Sequence, residues 1–99
     1  MNLEDIKRHQ DQLDHIANKY GITKILLFGS VARGENTIGS DLDFLVEMKE
    51  GASMLGIGGF SYEVERLFGV PVDVIPVSVL PNVNDAEFVR RIQSEAVPI

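Results

Sequence analysis

A chain of 99 residues, 44% of them hydrophobic, can close one compact core, so a single domain over residues 1–99 is expected, with no second domain for gripping a large substrate. It contains no cysteine, which excludes disulfide staples and thiolate metal sites and fits the reducing cytoplasm, and no apolar run approaches the roughly 18 residues of a membrane span. Nine basic against fifteen acidic side chains leave a net charge of −6, a poor match for a long nucleic-acid tract, whose affinity is drawn from Lys and Arg.

In chain order, the first signal is helical. Over residues 3–20 the apolar positions Leu3, Ile6, Leu13, Ile16, Ala17 and Tyr20 recur at spacings of three, four and seven, which predicts one amphipathic helix. Asn2 is placed to cap it, Glu4 and Asp5 suit its first turn, and Gly21 ends it. Residues 24–28 form a short apolar run that suits a central strand covered on both faces, and residues 41–48 form a second strand. Between them, residues 29–40 are too polar and glycine-rich to bury and predict a loop with one helical turn. Residues 51–59 carry four glycines and are expected to be mobile. Helical spacing resumes over residues 60–68 and closes at Gly69. Residues 70–77 read as a third strand whose two prolines suit a sheet edge. Asn84 with Glu87 gives a capping-box pattern for a last helix with the stripe Phe88, Val89 and Ile92, and residues 96–99 suit an edge strand or a docking tail. The expected fold is α/β: a small mixed sheet, helices on one face and an open carboxylate-bearing face opposite.

Three carboxylates and one turn carry the chemistry. Side chains alternate along a strand, so Asp41 and Asp43 leave the same face, while Leu42, Phe44 and Val46 take the other. Two carboxylates that close repel unless a cation lies between them. Asp73 interrupts the apolar run of the third strand, where a buried ionised carboxylate calls for a partner or a metal. If the third strand lies beside the second, all three converge, and an oxygen-only set of ligands favours Mg²⁺ or Mn²⁺. Gly29-Ser30 directly follows the first strand, where the turn's N–H groups can face an anion such as a phosphate.

Each of these signals is weak alone, and their combination is specific. Gly29-Ser-Val-Ala-Arg-Gly-Glu35 followed by Ser40-Asp-Leu-Asp43 resembles the signature of the DNA polymerase β-like nucleotidyltransferase superfamily, in its minimal nucleotidyltransferase branch. Val72-Asp-Val-Ile75 is similar to the strand that supplies that family's third carboxylate, so the resemblance spans residues 22–77. It implies catalytic and metal-binding roles for Asp41, Asp43 and Asp73 around two Mg²⁺ ions, with Mn²⁺ as a substitute. It implies nucleotide contacts from Gly29, Ser30, Arg33 and Ser40, and ATP as the substrate. Arg33 and Glu35 occupy family positions with two open readings, neutralisation of phosphate charge or a salt bridge that shapes the loop.

Members of this branch occur beside HEPN-type toxins, and some transfer AMP from ATP to a tyrosine of the toxin. The resemblance therefore implies a protein adenylyltransferase acting as an antitoxin, in a hetero-oligomer with its partner. Two alternatives stand beside it: neutralisation of the partner by binding alone, and nucleotidyl transfer to a small molecule such as an aminoglycoside. His9, His15, Glu63, Glu65 and Arg66 read as exposed helix faces; Met48, Met54 and the phenylalanines read as packing.

Overall fold

The computed structural model describes residues 2–35 and 40–99, so residues 36–39 of the expected loop lie outside the described residues. Asn2 caps α1 (Leu3–Arg8) in a reciprocal capping box: its side chain accepts from the Asp5 N–H at 2.9 Å, and the Asp5 carboxylate accepts from the Asn2 N–H at 3.0 Å. The expected single helix is broken at His9, and α2 (Gln10–Lys19) starts afresh. The His9 ring nitrogen Nδ1 lies 2.8 Å from the Asp5 carbonyl, the acceptor that its own backbone N–H would use in an unbroken helix. That N–H bonds Ile6 O instead, at 3.0 Å, and the helix tightens and turns. The ring edge rests on Phe68, centroids 5.2 Å apart.

Gly21, at φ +75°, ends α2, and β1 (Ile22–Phe28) begins two residues before the apolar run expected. A short α3 (Gly29–Arg33) is the helical turn anticipated after it. β2 (Leu42–Met48) runs antiparallel to β1 with Phe28 opposite Asp43. The crossover through α4 (Leu55–Phe68) returns the chain to β3 (Val72–Pro76), which pairs parallel with β2. A 3₁₀ segment (Val77–Asn82), α5 (Ala86–Glu95) and β4 (Val97–Pro98), antiparallel to β1, complete the chain. The sheet order is β3-β2-β1-β4, so the proline-bearing third strand is an edge strand and the tail forms the other edge.

The main core lies on one face of the sheet, where Ile6, Leu13, Phe60 and Val64 from α1, α2 and α4 meet Leu27, Leu42, Phe44 and Val46. The fully buried rings of Phe44 and Phe60 meet edge to face, centroids 5.9 Å apart. A smaller cluster, Phe28, Leu45, Leu80 and Ile92, lies on the other face, where the 3₁₀ segment and α5 cover part of the sheet and leave the carboxylates open beside them. Among the described residues no helix is long and apolar enough to cross a membrane.

Two expectations are corrected here. Three of the four glycines of residues 51–59 lie in a helix rather than a loose segment, because α4 begins at Leu55 and takes in Gly56, Gly58 and Gly59, while Gly51 sits in the turn before it. A Cβ at Gly59 would sit 2.3 Å from the Tyr20 ring, and one at Gly56 would sit 2.7 Å from the Tyr20 carbonyl. These two glycines are the bed on which Tyr20 lies, and its hydroxyl donates to the Glu63 carboxylate that also pairs with Lys19. Asn84 is not the cap of α5: Asp85 is, accepting from the Phe88 N–H at 3.0 Å. A side-chain oxygen three residues ahead of that N–H is the usual N-cap geometry, and the sequence pattern was one residue out of step.

Candidate active site

The chain leaves β1 at Phe28 and enters α3 at Gly29, whose φ of +80° is a left-handed conformation. A Cβ there would lie 2.2 Å from Asp43 Oδ2, so the backbone of Gly29 presses directly against that carboxylate. Asp43 is brought there by the β1–β2 register, which sets it opposite Phe28. The parallel register then sets Asp73 opposite Asp43 on the neighbouring strand. Asp41 precedes the first residue of β2 and lines the same cleft.

The cleft has a volume of about 690 Å³, within the range of small-ligand sites. Every candidate residue lines it: Gly29, Ser30, Arg33, Ser40, Asp41, Asp43 and Asp73. Asp43 is half-buried, whereas Asp41 and Asp73 are exposed. The expectation of a buried Asp73 is therefore corrected. Its strand is at the sheet edge and its side chain opens into the cleft rather than the core. Burial first, then the nearby charges of Asp73 and Asp41, push the Asp43 carboxyl up from its ordinary 3.8 to about 6, with Arg33 acting in the opposite sense.

This donor set consists of carboxylate oxygens that destabilise one another when charged, which is the chemistry that a hard divalent cation relieves. Among the described residues no three His, Asp or Glu side chains close into a ready-made metal cage. Mg²⁺ does not require one, since it commonly combines one or two carboxylates with water and substrate phosphates.

Of the two readings of Arg33, the salt bridge is the one formed. Its Nε donates to Glu35 at 2.6 Å and its Nη1 to Glu95 at 2.9 Å, tying α3 to the end of α5. That tie draws in a wall the sequence reading did not anticipate: Phe88, Arg91, Ile92 and Glu95 of α5 also line the cleft. They fall at i, i+3, i+4 and i+7, one face of the helix. The stripe Phe88, Val89 and Ile92 pointed to packing, and the arginine interleaved with it was the available sign that the same helix also borders a site.

Residues 6–99 match the nucleotidyltransferase domain family. The chain belongs to that family. A Methanocaldococcus jannaschii protein with a provisional protein adenylyltransferase name is 39% identical over 100 residues, covering 100% of this chain and 99% of that protein. The protein adenylyltransferase MntA of Thermococcus cleftensis is 33% identical, covering 81% and 82%. Among solved structures, one provisionally described as a minimal nucleotidyltransferase superposes with a TM-score of 0.78 at 30% identity, covering 100% of this chain and 97% of that one. Two more distant structures share the fold. A toxin–antitoxin crystal structure with AMP-PNP matches at a TM-score of 0.68 and 14% identity, covering 90% and 70%. A tri-AMPylated Shewanella oneidensis HEPN toxin in complex with MNT antitoxin matches at 0.62 and 11%, covering 93% and 69%. The nucleotidyltransferase reads as an enzyme with relatives named for protein adenylylation.

Proposed function

We propose that this nucleotidyltransferase is a single-domain, Mg²⁺-dependent protein adenylyltransferase that moves AMP from ATP to a tyrosine hydroxyl of a HEPN-type toxin and thereby acts as its antitoxin. The observation that most supports this is the direct register of Asp43 with Asp73, both beside the Gly29-Ser30 turn in one cleft. The names of the relatives and the AMPylated toxin of the distant structural neighbour favour a protein acceptor. AMP-PNP in another such neighbour favours ATP.

Asp41 and Asp43 would hold the divalent ions, with Asp73 sharing the one nearer the acceptor. When bound, such ions offset the charge of the attacking and leaving oxygens of an in-line displacement at phosphorus. The Gly29-Ser30 backbone, with no Cβ on Gly29, gives the phosphates a close approach to the aspartates. Asp73 is exposed like Asp41 but stands on the edge strand, at the side of the cleft open to an acceptor on another molecule, and it takes the tyrosine proton. The phenolic oxygen bonds to the α-phosphorus, the bond from that phosphorus to the β-phosphate bridging oxygen breaks, and pyrophosphate leaves. Arg33 holds α5 over the cleft through Glu95.

Incubation with α-labelled ATP, Mg²⁺ and the HEPN-type partner tests the proposal. Label on the partner that disappears with Asp41→Asn, and with the partner's tyrosines changed to phenylalanine, is the expected result. Toxin neutralisation that survives Asp41→Asn without any label transferred would establish neutralisation by binding alone. Label on an aminoglycoside and none on the partner would establish a small-molecule acceptor.

A further inference from the structure

The cleft faces a charge problem that its aspartates deepen. Asp41, Asp43, Asp73 and Glu95 line it, and a nucleoside triphosphate adds several more negative charges. Two arginines line the same space, Arg33 and Arg91. Arg33 is held by two carboxylates, Glu35 and Glu95, at 2.6 and 2.9 Å. Three of its N–H donors remain, but its charge is offset by two carboxylates and its orientation is set by them rather than by the cleft.

Arg91 is in the opposite situation. It is exposed, and among the described residues its side chain makes neither an ion pair nor a hydrogen bond. Glu87 and Glu95 stand one turn before and after it on α5, where i, i+4 pairing is available, yet neither lies within ion-pair distance. Before it Phe88 packs against the second core cluster, and after it Ile92 is buried in that cluster and Glu95 is clamped to Arg33, so the helix that carries Arg91 is anchored on both sides of it. A fixed helix presenting an uncommitted guanidinium at the cleft rim is a suitable device for binding phosphate, because the planar fork can engage two phosphate oxygens at once.

Resting on the nucleotidyltransferase reading of this cleft, we infer that Arg91 is the arginine that binds the phosphates of the bound nucleotide, while Arg33 is the clamp that positions its helix. The cation nearest to the Gly-Ser turn in sequence is thus the structural one, and the phosphate contact comes from the far end of the chain. The division of labour follows from which carboxylates each arginine meets.

The test is calorimetric titration of the full chain with AMP-PNP and Mg²⁺. Arg91→Met, which keeps the helix propensity and the length of the side chain, weakens binding about tenfold or more, and Arg91→Lys recovers part of the loss. Arg90→Met, on the same helix but outside the cleft, binds as the unaltered protein does, and all three variants keep its melting temperature. Unchanged affinity in Arg91→Met overturns the assignment. So does an equal loss in Arg90→Met, which would mean that only the helix's overall charge matters. Failure of the unaltered protein to bind AMP-PNP would overturn the nucleotide reading itself, and the assignment with it.

Discussion

Asp43→Asn is expected to abolish transfer, by roughly a thousandfold or more, and at the same time to raise the stability of the nucleotide-free protein at pH 7. The two effects have one origin. Asp43 is half-buried against Gly29 and opposite Asp73, and its carboxyl is pushed up to about 6. Because the folded state holds that proton more tightly than the unfolded chain, ionisation opposes folding. The penalty is absent below about pH 3.8, grows as the pH rises towards 6, and is fully present above it. At full value a displacement of this size is worth about 3 kcal/mol. Solvent around the partly exposed group reduces this to about 1 kcal/mol. Asparagine is nearly isosteric and carries no charge, so thermal unfolding should show Asp43→Asn melting about 4 to 8 °C higher than the parent at pH 7. At pH 4 the two should melt nearly together. A variant that melts lower by the same amount at both pH values would mean that the carboxylate is structural.

The second large effect is expected at Gly29. Gly29→Ala meets two obstacles: a left-handed φ of +80°, and a Cβ that would fall 2.2 Å from Asp43 Oδ2 and 3.0 Å from its Cγ. The backbone strain alone costs about 1 to 2 kcal/mol. The carboxylate must also move, and a displacement of about 1 Å at a reacting centre lowers a rate roughly a hundredfold. Gly34→Ala separates the two contributions, because Gly34 has a similar φ of +74° and nothing within 4 Å of its Cβ position. Urea unfolding with single-turnover transfer should show both alanine variants destabilised and only Gly29→Ala inactive. Equal activity in the two would remove the steric argument for this glycine.

Much of this architecture is legible in the residues because local rules and global packing agree. The alternation of Asp41 and Asp43 against Leu42, Phe44 and Val46 is the alternation that β2 displays, with the apolar set in the main core. Pro71, just before β3, and Pro76, at its end, agree with the edge position that β3 takes, and that position leaves Asp73 open to the cleft rather than buried. What was not legible depends on contacts between distant segments. The break at His9 arises because its ring occupies the Asp5 carbonyl, a choice that helical periodicity does not encode. Glycines 56 and 59 look like a flexible run until the Tyr20 ring is laid across them. The α5 wall of the cleft required knowing that Glu95 reaches Arg33, 62 positions earlier, and no local pattern reports such a pair.

The proposed function requires the acidic cleft to take up nucleotide only as its metal complex. Titration of AMP-PNP into the protein with Mg²⁺ and then with EDTA tests this most directly. Binding in Mg²⁺ that is lost in EDTA, and lost in Asp41→Asn even with Mg²⁺ present, is the predicted result. Equal affinity in Mg²⁺ and in EDTA, unaffected by Asp41→Asn, would contradict it.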